Sequence, residues 1–498
     1  MGCFLKRRDL AIIFLVALCS SAGPGTLKAR VIQSPNPDKK GASPSAASAE
    51  PVASDKLRED FAILRQALEQ AHPDIYRYTP KAKMDQAFDR AEKALDRPMN
   101  VYEFYRIVAP AVAEIKCGHT SVRVNPSLNK GKLLLPLVVR ALDGKLFVLR
   151  DLSNKEGTLA GNEVRAVNGI DAGKIVQTML AAIPGDGDVK TSRLRHLGGA
   201  NFARELIDLL GLESPYTVAF WDFKRGLEHT VRLDGIEASK LQEPRPKDSA
   251  TLTFLDDGKI ADLKTNRFGG TANKKDLGVF IQECFSEIDK KKTTALILDL
   301  RDNGGGADEL GKLLLSFLID EPFQYYDDLV LNGLDSSLIK YSAKDLEVGW
   351  NRALKDGMLV RQPNGKYRMV KHPNWGIQQP SKPTFTGVVY ILINGNSFST
   401  TSEFLSHAHA RKRATFIGEE SGGSYSGNTS GPTALLTLPN TKLQAYIPLM
   451  GYYMAVRDDK SANHGVVPEY QIKYTIDELL EGKDKELAAA LELARKKP

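Results

Sequence analysis

Residues 295–318 constrain the fold more than any other stretch. An unbroken apolar run at 295–298 leads into Asp299-Leu300-Arg301-Asp302-Asn303-Gly304-Gly305-Gly306 and then a helical pattern over 307–318. A strand that is apolar on both faces must be covered on both faces, as in the parallel sheets of α/β proteins. Glycines where such a strand hands over to a helix let the backbone approach another group and turn its N–H groups toward it. That suits an oxyanion hole, and it equally suits a plain strand-to-helix turn. Apolar strands at Val388–Ile393, at 415–417 and around 443–447, with helical stretches near 276–290 and 400–412, continue the α/β pattern from about residue 250.

Upstream the periodicity differs. Leu57, Phe61, Leu64 and Leu68 fall at helix spacing, as do Met84, Phe88, Ala91 and Leu95. Asn100 with Glu103 three residues on is a capping-box signal, and Phe104, Ile107, Val108, Ala111 and Ile115 continue that helix. Short β-like runs such as 146–149 follow, and 161–169 reads as a strand closed by the tight turn Asn168-Gly169. The expected organisation is a signal peptide over 1–22, a flexible tether over 23–53 and a helical domain over 54–125. A β-rich domain over 126–245, a core over 246–480 and a C-terminal helix over 481–498 follow. Within the core, 323–386 is longer than an ordinary connection, and an insertion of that size beside a catalytic core is often a lid or a substrate-binding element.

The N-terminus points to export. Lys6-Arg7-Arg8 precedes an apolar run over 10–18, and Ser20-Ser21-Ala22 supplies small residues for cleavage. The run is too short to span a bilayer. The expected location is therefore periplasmic, secreted or outer-membrane-anchored. Cys19 is the one place where a lipid anchor could attach the chain to a membrane, although Leu18 stands where a small residue is expected. The formal charge of +7 does not make a nucleic-acid binder: seven Lys/Arg against three Asp/Glu fall in residues 1–53, so +4 of it sits there. The rest is interspersed rather than gathered on a face. Of four cysteines only Cys117 and Cys284 belong clearly to the mature body, and they read as two buried thiols.

Three places could carry chemistry. One is the glycine turn at 304–306. The second is Asn394-Gly395-Asn396-Ser397-Phe398-Ser399-Thr400-Thr401-Ser402, again strand, turn and helix start. A serine there gains from the positive end of a helix as a nucleophile, but an N-cap serine would gain as well. Local pattern does not separate Ser397, Ser399 and Ser402. The third is Cys117-Gly118-His119-Thr120, where His119, of eight histidines, alone follows a glycine at a helix-to-strand junction. His407 and His409 read as surface residues of a helix. No His-Glu-x-x-His, paired CxxC or other ligand spacing points to a metal, and no glycine-rich phosphate loop is present.

Together these places resemble the tail-specific (C-terminal processing) protease family of serine peptidases, and within it the branch of the tricorn core and the retinoid-binding protein repeats. The resemblance is carried by Gly118-His119-Thr120, Asp299-Leu300-Arg301, Asn303-Gly304-Gly305-Gly306 and Phe398-Ser399. Gly418-Glu419 with Gly422-Gly423, and Gly465-Val466-Val467-Pro468-Glu469, complete it. It implies an α/β fold with a crotonase-like ββα spiral core, an N-terminal helical domain and a PDZ-like middle domain. It also implies Ser399 as nucleophile, His119 as base, and an oxyanion hole from Gly304 or Gly305 with the Thr400 N–H. The lysine of the Ser–Lys branch would fall at Ser424, so that dyad is not expected. The glutamate expected shortly before Gly465 is missing, and Asp459 is its best substitute as orienting carboxylate, with Asp458 and Glu419 next. The implied function is peptide-bond hydrolysis on peptide or protein substrates, with no cofactor. The alternative is a non-catalytic binder of peptides or apolar ligands that keeps the fold.

Overall fold

The computed structural model describes residues 50–153, 158–242, 246–334, 336–342, 345–456 and 461–496. Three helices, Ser54–Ala71, Lys81–Lys93 and Val101–Ala113, open the described chain and bury the apolar positions that set their periodicity. The third begins as expected: the Asn100 side chain accepts from the Glu103 N–H, and the Glu103 carboxylate accepts from the Asn100 N–H, both at 3.0 Å. Beyond it the chain reverses through Lys116, at φ 58°, and passes Cys117, Gly118 and His119 into the short strand Ser121–Arg123.

That strand decides where His119 goes. It pairs antiparallel with Gln444–Met454, Ser121 lying opposite Tyr446, and so stitches the N-terminal helices to a strand more than 300 residues away. Gln444–Met454 is the hub of an antiparallel sheet that also takes Gly427–Thr437 and Tyr326–Leu331. Tyr326–Leu331 carries Tyr367–Met369, which in turn carries Leu359–Arg361. Three short strands of 323–386 are thus built into this sheet. Ala445 and Ile447 of the hub, with Leu436 of Gly427–Thr437 and Leu438 just beyond it, share one apolar core with the N-terminal helices and with a separate antiparallel sheet, Leu137–Leu142 to Leu227–Leu233. In that sheet Asn168 and Gly169 take φ of 48° and 79°, the left-handed pair that a two-residue hairpin demands.

Three of the four strands read as apolar runs, at 295–298, 388–393 and 415–417, lie in the central sheet, whereas the run around 443–447 belongs to Gln444–Met454 of the antiparallel sheet. The order of the central sheet is Tyr470–Gln471, Thr415–Gly418, Val388–Ile393, Ala295–Asp299, Ile260–Thr265 and Ala250–Leu255, with only the last pair antiparallel. Ala295–Asp299 is buried at every residue, because helices cover both faces. On one face Leu277–Lys290, Asp308–Ser316 and Thr400–Ala410 contribute Ile281, Phe285, Leu314, Phe404 and Leu405. On the other, Lys485–Lys496 packs Ala490 and Ala494 against Ile297 and Leu392. Cys117 and Cys284 are both buried and free. Among the described residues no helix is long and apolar enough to cross a membrane.

Arg301 fastens the C-terminal helix to the glycine turn. Its guanidinium donates to Asp299 at 2.8 Å, to Asp484 at 2.7 Å and to Glu486 at 3.2 Å, and the Asp299 and Glu486 side chains are 5% and 4% exposed. Removing one member of a buried charge cluster leaves the others uncompensated, at a cost of about 3–5 kcal/mol. Arg301→Ala is therefore expected to lower the unfolding free energy by about that amount in urea denaturation; a loss below about 1 kcal/mol would contradict the clamp.

Candidate functional site

Two strand-to-helix turns meet at the C-terminal ends of neighbouring parallel strands. Ala295–Asp299 leads into the glycine turn and Val388–Ile393 into the turn that ends at Ser399. A dense set of bonds holds one against the other. The Leu300 N–H donates to Leu392 O at 3.0 Å, and the Phe398 N–H to Asn303 O at 3.1 Å. The Asn394 and Asn396 amides both donate to Asp302 Oδ1, at 3.1 and 2.8 Å, and Thr400 Oγ1 donates to Gly306 O at 2.8 Å. Asn303, fully buried, donates to Thr265 O at 2.9 Å.

The three serines now separate. Ser397 Oγ donates to Leu300 O at 2.8 Å, and Ser402 Oγ donates to Ser397 O at 3.0 Å, so both are structural. Ser399 sits at the N-cap of helix Thr400–Ala410 but makes no capping bond. Its backbone is at φ 58°, ψ −128°, a conformation that costs a non-glycine residue about 1–3 kcal/mol. Strained serines on a strand-to-helix elbow are held with the hydroxyl exposed rather than turned back onto the helix. Ser399 Oγ instead meets His119 Nε2 at 3.1 Å, across 280 residues of sequence.

His119 is held on three sides. Its ring stacks on Phe398, with centroids 4.6 Å apart and planes 25° off parallel. Gly118 makes room for that stack, since a Cβ there would lie 2.7 Å from the Phe398 ring. The neighbouring Cys117 thiol lies 2.7 Å from Thr429 Oγ1, and burial pushes it up to about 11, so it stays protonated and neutral. Burial lowers the His119 pKa below the ordinary 6.5, and the nearby Asp186 carboxylate pulls it partly back. The imidazole is thus biased to the neutral form that a base requires. Donor atoms of Cys117, His119 and Asp186 fall within 4.8 Å of one another. With the thiol protonated and Nε2 facing the serine, the chemistry of this donor set is that of a hydrogen-bonded base.

The expected oxyanion donors divide. The Thr400 and Gly304 N–H groups have no protein acceptor among the described residues. The Gly305 N–H, expected as a donor, is instead taken by Asn303 Oδ1 at 3.0 Å, because the asparagine side chain closes a local turn over it. Gly305 matters sterically: at φ 98°, a Cβ there would stand 2.7 Å from Ser399 Cβ and 3.0 Å from Thr400 N.

Other expectations fare as follows. Asp459 and Asp458 lie outside the described residues. Glu419 is engaged by two guanidinium groups: Arg195 donates to it at 2.8 Å and Arg140 stands 3.6 Å from it. Ser424, where the lysine of the other branch would fall, donates to Ala462 O at 3.0 Å. His407 is not on the surface. It is fully buried, its Nε2 is 2.8 Å from Tyr325 O, and burial holds its pKa down to about 3. His409 is half-buried against the Tyr425 hydroxyl at 3.0 Å. Asp186 had no signal in the sequence, since it lies in a short polar loop outside every recognisable motif.

A mixed α/β fold with a strained, histidine-bonded serine at a strand-to-helix elbow defines a serine hydrolase scaffold. Residues 259–472 match the model of peptidase family S41, and that match supports a tail-specific, serine-type peptidase. No curated protein sequence matches the chain. Among solved structures, mature CPAF is similar at 14% identity and a TM-score of 0.60, over 89% of this chain and 96% of that one. Mature CPAF complexed with lactacystin matches at 14% and 0.60, over 89% and 98%. The photosystem II D1 C-terminal processing protease matches at 15% and 0.41, over 88% and 96%. At these identities the likeness to CPAF is one of fold.

The close approach at Gly305 is testable. Gly305→Ala should abolish peptidase activity by displacing Ser399 or the Thr400 N–H, while the far-ultraviolet spectrum stays native. Wild-type turnover in that variant would show that the elbow tolerates a Cβ and that the packing described is wrong.

Proposed function

We propose that the chain is an exported serine peptidase that cleaves peptides or proteins through an acyl-enzyme on Ser399. The observation that carries this reading is the 3.1 Å contact between Ser399 Oγ and His119 Nε2 at a backbone elbow that offers no other use for the hydroxyl. His119 Nε2 takes the hydroxyl proton as Oγ attacks the carbonyl carbon. The oxyanion then lies against the Gly304 and Thr400 N–H groups, a kind of stabilisation worth roughly 10²–10³ in turnover per donor. His119 returns the proton to the leaving amine, and water repeats the sequence on the acyl ester with His119 again as base.

Substrate access favours an extended peptide. Strand Ser121–Arg123 pairs on one side only, and it begins two residues beyond His119. A cleft of about 520 Å³ runs from Gly118 along this strand to Tyr105, Arg204 and Glu205. An added strand there would present its carbonyls beside the serine. The five-strand antiparallel path of residues 137–233 with helix Ala172–Ala182 supports a PDZ-like middle domain, and the strand–helix alternation of the core supports a crotonase-like spiral. The basic and apolar N-terminal pattern supports export, with Cys19 as the site of any lipid anchor.

A fluorophosphonate probe should label Ser399 alone, and Ser399→Ala or His119→Ala should each lower kcat by roughly 10⁴–10⁶. Because the base must be neutral and its pKa is depressed, the acid limb of kcat/KM should have its midpoint below pH 6.5, with activity lost as pH falls through it. A wild-type protein that binds peptide but is never labelled would support the non-catalytic alternative.

A further inference from the structure

We infer that Asp186 is the positioning residue of His119, a carboxylate supplied from the middle of the chain that fixes the imidazole tautomer and stabilises its cation. The inference rests on the reading of Ser399 and His119 as nucleophile and base.

With Nε2 occupied by Ser399, His119 Nδ1 is buried and has no hydrogen-bond partner. A buried imidazole nitrogen without a partner is costly, and in a base it leaves the tautomer unspecified. Asp186 is 1% exposed, and one of its carboxylate oxygens lies within 4.8 Å of a His119 ring nitrogen. Its position is fixed. Oδ1 accepts from the Gly118 N–H at 2.7 Å, on the backbone immediately before the imidazole, and Oδ2 accepts from the Ser424 N–H at 3.4 Å. The loop itself is pinned by Gly187 N–H to Lys116 O at 2.9 Å and by Asp188 N–H to Asn463 O at 2.8 Å. A separation of this size is bridged by one water, or closed by a small ring rotation once the imidazole is charged.

No other charge competes for this role among the described residues around the ring. Lys116, three residues before His119, is paired with Asp188 at 2.6 Å. Cys117 is neutral, and burial holds the Tyr78 hydroxyl protonated as well. Phe398 and Ser399, on the opposite side of the imidazole, carry no charge. Asp186 is the one charge acting on the His119 pKa, and it acts to raise it against burial. A carboxylate held in this way stabilises the imidazolium that forms as the serine hydroxyl loses its proton, with no need to take the proton itself.

The test compares wild-type protein with Asp186→Asn, which keeps an acceptor for the Gly118 N–H but removes the charge. The readouts are peptide turnover and the pH dependence of fluorophosphonate labelling. The expected result is a fall in kcat of about 10²–10⁴ with KM nearly unchanged, and an acid limb whose midpoint moves to lower pH. A merely structural role would lower the melting temperature and the active fraction without moving that midpoint. Unchanged labelling rate and midpoint in Asp186→Asn overturn the inference, while a wild-type protein that is never labelled overturns the underlying reading instead. Should the variant fail to fold, ¹⁵N-histidine spectra of the wild type decide. The His119 Nδ1–H tautomer at neutral pH is expected, and the Nε2–H tautomer would overturn the proposal.

Discussion

The pairing of Ser121–Arg123 with Gln444–Met454 is the constraint on which the site depends. Ser399 is positioned by the central parallel sheet, whereas His119 belongs to the end of a helical hairpin from the far end of the chain. Only a strand ladder fixes two such parts to the tenth of an ångström that a hydrogen bond requires. The ladder is reinforced by an apolar core that the N-terminal helices share with the Gly427–Thr437 and Gln444–Met454 strands, and by the Cys117–Thr429 contact. The base and its packing partner Phe398 thus come from opposite sides of this junction and stack against each other.

Beneath Ser399 the helix Thr400–Ala410 is unusual in burying polar side chains along most of its length. Glu403, one turn from the nucleophile, is fully buried and receives hydrogen bonds from Tyr326 at 2.8 Å and Asn428 at 2.9 Å. Burial and the Asp308 charge push its pKa up to about 7. The Tyr326 hydroxyl lies between Glu403 and Asp308, and His372 reaches Asp308 at 3.2 Å. Buried hydrogen-bonded networks of this kind rigidify a core. The network and the interlocked asparagines above it hold the elbow in a backbone conformation it would not otherwise keep.

Much of this was legible in sequence. Apolar runs marked the central strands because those strands are covered on both faces, and Asn100 with Glu103 marked a helix start through a purely local hydrogen-bond pattern. Ser399 and His119 were singled out by resemblance, not by local pattern, which favoured a capping serine. The failures share a cause. His407 was read as an ordinary surface residue of a helical stretch, yet it is buried, with Nε2 against Tyr325 O, 82 residues away, and Nδ1 against Arg411. Gly305 was read as a donor because sequence does not show that the Asn303 side chain would fold back onto its N–H. Asp186 was missed because its partners, Gly118 and Ser424, are 68 and 238 residues distant, and a carboxylate in a polar loop has no periodicity to betray it.

The central claim is that Ser399 forms a covalent acyl intermediate with His119 as its base. Acid-quench mass spectrometry during turnover of a slowly deacylated ester or peptide tests it most directly. The account predicts an acyl mass on the peptide containing Ser399 in the wild type and none in His119→Ala. An intermediate on any other residue, or steady turnover with no acyl mass under conditions where deacylation limits the rate, would contradict it.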